Sequence, residues 1–122
     1  MPVPVLKQGD VLIASVQAAL SDADLLELRD ELTAKVGRFR ARGVIVDVTA
    51  LDVMDSFATR TLRGLAHTIK LRGADTVIVG IQPDVAFAMV QLGLGLDEIK
   101  TALDLEEGLA LLRPPHGTNR VG

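Results

Sequence analysis

Two runs constrain this chain more than anything else in it: Val44-Ile45-Val46-Asp47-Val48 and Thr76-Val77-Ile78-Val79. Neither alternates apolar with polar residues, so each reads as a strand covered on both faces. The stretch between them has the period of a helix. Ala58, Leu62, Leu65, Ala66 and Ile69 fall on one stripe, and Arg60, Arg63, His67 and Lys70 fall on another;. Strand, crossover helix and strand make a βαβ unit, which places a parallel pair in the middle of a sheet.

The flanking segments extend this unit in both directions. Val3-Val5-Leu6 and Val11-Leu12-Ile13 are strand-like runs on either side of Gln8-Gly9-Asp10, a hairpin signal;. Ser21 opens a helix whose apolar positions are Leu25, Leu28, Leu32 and Val36, with Gly37 as its expected stop;. The second helix begins at Asp55-Ser56 and ends at Gly73. Gln82-Pro83-Asp84 opens a third, which ends at Gly93;. Ile99–Ala102 is a short last strand. Asp104, with Glu107 three residues on, opens a fourth helix over Leu105–Leu112;. The fold class that follows is α/β, a mixed, mostly parallel sheet with four to five helices. One domain is expected over residues 1–112 and a flexible tail over 113–122.

Composition closes off several functions. Thirteen Lys and Arg stand against sixteen Asp and Glu, and a net charge of −3 argues against a nucleic-acid surface;. Cysteine is absent, which excludes disulfides, thiolate catalysis and Cys-ligated metals;. No run approaches the ~20 apolar residues that span a bilayer. The N-terminus lacks an apolar stretch behind a basic start, so a cytoplasmic protein is expected. His67 and His116 have no partner at ligand spacing, so no metal is expected. Gly93-Leu94-Gly95 follows a helix rather than a strand, so it reads as a cap and not as a phosphate cradle;. Neither a catalytic residue nor a cofactor is expected.

Two features stand above this background. One is Asp47-Val48-Thr49-Ala50-Leu51-Asp52-Val53-Met54-Asp55-Ser56-Phe57, where a buried strand delivers the chain to a loop that ends in Asp-Ser at a helix N-terminus. The carboxyl ends of strands in such sheets are where ligands and partners meet the fold. Asp55 or Ser56 also serves as a plain N-cap, and Asp52 with Asp55 fits a polar loop as well as a carboxylate pair. The other feature is the third helix, which carries no charge past Asp84. Val85, Ala86, Met89 and Val90 suffice for its core stripe, while Phe87 and Ala88 point elsewhere. A helix apolar nearly all round implies a subunit contact.

Five passages, in order, resemble the STAS domains, the sulfate-transporter and anti-sigma-factor-antagonist family, and within it the stressosome scaffold antagonists. They are Pro4-Val5-Leu6-Lys7, Gly43-Val44-Ile45-Val46-Asp47, Asp55-Ser56-Phe57, Gly80-Ile81-Gln82-Pro83 and Thr101-Ala102-Leu103-Asp104-Leu105-Glu106. The resemblance implies a non-enzymatic STAS fold with a phosphorylatable loop serine, which carries over to Ser56. Asp55 carries over as the neighbour that helps present it. Partner contacts are expected at Asp52, Asp55, Phe57 and Arg60 around that serine and, from the apolar third helix, at Phe87. Those partners would be a serine/threonine switch kinase of the GHKL type, a phosphatase, STAS paralogues in a large assembly and further copies of the chain. Phe57-Ala58 departs from the small Ser-Gly pair that follows the serine in simpler antagonists. The competing reading is a small α/β ligand-binding or enzymatic domain using the Asp52–Ser56 loop.

Overall fold

A computed structural model of the chain describes residues 3–17, 20–96 and 99–113. The expected tail lies, past Arg113, outside them. The elements in chain order are β1 (Val5–Gln8), β2 (Val11–Ser15), α1 (Asp22–Phe39), β3 (Gly43–Asp47), α2 (Ser56–Leu71), β4 (Asp75–Val79), α3 (Pro83–Gln91), β5 (Lys100–Ala102) and α4 (Leu105–Leu112).

The five strands lie side by side in sequence order. β1 and β2 form an antiparallel hairpin, and every later pair is parallel. This order dictates where the helices go. Right-handed crossovers between successive neighbouring strands all fall on the same face, so α1, α2 and α3 cover one side. α4 follows the last strand and packs on the other.

The central strands read as continuous apolar runs because both faces are covered. In β3, Val44 and Val46 join the large cluster under α1 and α2, with Leu28, Leu32, Leu62, Leu65 and Ile69. Ile45 faces the opposite way, into a smaller cluster with Val77, Val79 and Leu112 of α4. Register pairs Ile45 with Ile13 and Val77, so like faces stack across the sheet;. Full burial of each such side chain is worth about 1.5–3 kcal/mol.

Three details differ from the sequence reading. α1 runs past Gly37 to Phe39 and stops at Arg40, a left-handed cap with φ 52°. Gly37 lies inside the helix with the Arg72 guanidinium packed over it. In α2 Ala66 is only half-buried, while Thr59 is fully buried and joins the core stripe. In α3 only Val85 and Met89 are buried, and Ala86 and Val90 face outward. The reason is position. α3 is short and has one layer beneath it, so it seats a two-residue seam rather than a broad stripe.

Candidate functional site

The loop from Val48 to Asp55 leaves the carboxyl end of β3 between its two neighbours. The Val16 N–H donates to the Asp47 carbonyl at 2.9 Å, and the Val48 N–H donates to the Val79 carbonyl at 3.0 Å. Asp47 then folds the chain over itself. Its Oδ1 accepts from the Thr49 N–H at 2.9 Å and from the Thr49 hydroxyl at 2.6 Å. This is the aspartate turn that a short carboxylate makes two residues along. Gln82, just ahead of α3, donates from Nε2 to the Thr49 carbonyl at 2.7 Å and ties the loop base to the next crossover. Gly80 makes room for the turn. Its φ is +81°, and a Cβ there would strike the Thr49 hydroxyl;.

Beyond the turn, apolar pegs alternate with exposed groups. Leu51 and Met54 are buried, at 7% and 4% exposure, and anchor the loop in the large core cluster. Asp52, Val53, Asp55 and Ser56 are exposed. Asp55 is the N-cap of α2: its Oδ1 accepts from the Ala58 N–H at 2.8 Å, and its carbonyl accepts from the Thr59 N–H at 3.0 Å. Ser56 is therefore the first helical residue. Its own N–H and that of Phe57 have no acceptor within the helix, so the serine hydroxyl stands beside the positive end of the helix dipole.

Phe57 is half-buried, and Arg60 is exposed one turn further along. The structure thus brings Asp52, Asp55, Ser56, Phe57 and Arg60 together around the start of α2. Phe87 stands apart on α3, 71% exposed, with Val90 and Leu92 at 77% and 68%. A shallow cleft of about 360 Å³ lies between the loop and the start of α1. Its charged lining is three carboxylates, Asp22, Asp52 and Asp55, with no cation. No base is hydrogen-bonded to the Ser56 hydroxyl among the described residues, so nothing there activates it as a nucleophile. Among those residues no group of three or more histidines and carboxylates could hold a metal, and no helix is long and apolar enough to cross a membrane.

The sequence reading did not give Thr49, Gly80 and Gln82 their joint role in fixing this loop. The signal for the first was available, since Asp followed two positions later by Thr at a strand end is a turn pattern. The reach of Gln82 across the sheet has no local signal.

The STAS domain model matches residues 3–108. The chain belongs to the STAS family. Within that family it is of the anti-sigma-factor-antagonist, stressosome type, by similarity to proteins of known structure. RsbS of Moorella thermoacetica, in a form carrying a Ser-to-Glu substitution, superposes with a TM-score of 0.78 at 33% identity, covering 90% of this chain and 93% of that one. A chain from the molecular architecture of the stressosome, a signal integration and transduction hub, gives 0.74 at 30% identity, over 97% and 100%. In sequence, the RsbT co-antagonist protein RsbRA of Bacillus subtilis is 27% identical over 82 residues, 67% of this chain but only 30% of that protein's length. The expected STAS fold, a mixed and mostly parallel sheet with four to five helices, is the one these relatives share, here with five strands and four helices among the described residues.

Proposed function

We propose that this STAS domain is a non-enzymatic docking module, formed by residues 1–112, that sequesters a serine/threonine switch kinase of the GHKL type and releases it when Ser56 is phosphorylated. The observation that carries this reading is the placement of Ser56. It is exposed, directly after the cap residue of α2, on a loop pinned by Leu51, Met54 and the Asp47–Thr49 turn. A hydroxyl presented this way is open to a kinase, and a phosphate on it would sit against free helix N–H groups.

Asp52, Asp55, Phe57 and Arg60 form the partner-facing surface around that serine, and exposed Phe87 on α3 serves assembly with STAS paralogues or further copies. A phosphatase returns Ser56 to the docking state, and the cycle runs in the cytosol. The similarity to RsbS and to a stressosome chain supports this role. The rival reading, an enzyme or small-ligand carrier using the same loop, gains nothing from a cleft lined by three carboxylates with neither a cation nor an activated nucleophile.

The test is incubation with a GHKL-type kinase and ATP, followed by phosphopeptide mapping. One phosphate on Ser56 is expected, and none on Ser56→Ala. Modification elsewhere, or none at all, would overturn the assignment.

A further inference from the structure

A second depression opens along the flank of α2, from Arg60, one turn past Ser56, to Lys70 near the helix end. A groove of about 1090 Å³ runs between α2 and the first residues of β5. One wall is the polar stripe of α2: Arg60, Arg63, His67 and Lys70. The other wall carries Lys100, with Ile99 beside it. Among the described residues that line it, four permanent cations therefore face one carboxylate, Asp75, and that carboxylate is already held by Lys70 at 2.7 Å. This is a local excess of positive charge on a chain whose net charge is −3.

One further observation distinguishes the groove from a solvated basic face. Arg63 is held in place by donating to the Gly95 carbonyl at 3.1 Å.

The shape of the charge says what kind of occupant it fits. Arg60, Arg63, His67 and Lys70 fall at steps of three, four and three residues, a row about 15 Å long at 1.5 Å per residue. A compact anion would engage one or two of them. An extended peptide rises about 3.3 Å per residue, so roughly five residues span the row. Carboxylates on alternate residues would then lie about 7 Å apart, within side-chain reach of successive cations. We propose that this groove docks an extended acidic segment of a partner protein, with carboxylates on alternate residues.

The test uses the unphosphorylated full chain without kinase, so its failure leaves the Ser56 reading untouched. Fluorescence anisotropy would follow a fluorescein-labelled octapeptide of alternating Glu and Ser, with a Gln-Ser peptide as control. The expected result is saturable binding of the acidic peptide alone, weakened about tenfold by high salt as screening predicts. The double variant Arg63→Glu/Lys100→Glu should bind at least tenfold more weakly. Arg29→Glu/Lys35→Glu on α1, with the same change in net charge, should bind as wild type. Circular dichroism checks folding, and Lys100→Glu alone replaces the pair if Arg63→Glu does not fold. Equal losses in both double variants would overturn the proposal, as would no saturable binding. So would binding of inorganic tripolyphosphate in place of the peptide, or a groove whose charge reversal dissolves a self-associated species instead.

Discussion

At the residue scale the account turns on Asp55 and Ser56 having different tasks. Asp55 holds the helix: its carboxylate takes the Ala58 N–H. Replacing an N-cap aspartate by alanine costs about 1 kcal/mol, which for a domain of this size lowers Tm by about 3–6 °C. Asp55→Ala should show that drop in a thermal melt, and Asp55→Ser should recover most of it. A Tm unmoved by Asp55→Ala would mean that the cap is not made in solution. Ser56 has no such structural duty, because its side chain makes no bond within the fold among the described residues. Arg60, four residues on, lies on the same helix face. It is positioned to pair with a phosphate on Ser56.

At the element scale, α3 and the α2–β4 junction make separate predictions. α3 presents Phe87 and Val90 to solvent, both more than two-thirds exposed. Apolar surface of that kind in a soluble protein ordinarily has a partner. Phe87→Glu should leave the melt unchanged, since only Val85 and Met89 seat the helix, and should reduce assembly with STAS paralogues or with itself in light scattering. A wild type that stays monomeric in both settings would contradict this. At the end of α2 the Lys70 ammonium bonds to Asp75, which holds the Asp75 carboxyl below its usual range and raises Lys70. The lowered carboxyl contributes stability above its unfolded pKa of about 3.9 and loses it as pH falls through the folded value. The raised ammonium contributes below about 10.4 and loses it as pH rises through the folded value. Wild type should therefore exceed Asp75→Asn in stability at neutral pH, and the gap should begin to narrow as pH falls below about 3.9 and close as it falls through the lowered folded value. A gap unchanged from neutral pH down to about pH 2 would place the effect elsewhere.

These elements also show what the sequence could and could not convey. The buried strands and the caps at Ser21, Asp55 and Asp104 were legible because each is a local signal: a continuous apolar run, or a short polar side chain three residues ahead of the N–H it caps. Gly37 was misread as a stop because the left-handed backbone that ends α1 is adopted three residues later by Arg40, a residue with no local mark for it. The α3 stripe was read too wide because periodicity reports which residues share a face, not how much of that face the next layer covers. In the candidate site, Asp55 and Ser56 were legible as helix start. The Gln82–Thr49 tie depends on a contact across the sheet and had no local mark.

At the scale of the whole molecule, the central claim is that phosphorylation changes docking without changing the fold. A phosphate adds roughly −1.5 to −2 charges at the start of α2, where the helix dipole tolerates it. The partner surface already carries exposed Asp52 and Asp55, so a docked kinase would have to desolvate a third anion there. A loss of only about 3 kcal/mol weakens binding more than a hundredfold. The most direct measurement is the kinase affinity of unmodified protein, Ser56-phosphorylated protein, Ser56→Ala and Ser56→Asp, each with its thermal melt. The expected result is tight binding by the unmodified chain and by Ser56→Ala, binding at least a hundredfold weaker after phosphorylation, weakened binding by Ser56→Asp, and melts that nearly coincide. Equal affinity of the phosphorylated and unmodified chains for the kinase would contradict the account and leave Ser56 as no more than the first residue of a helix.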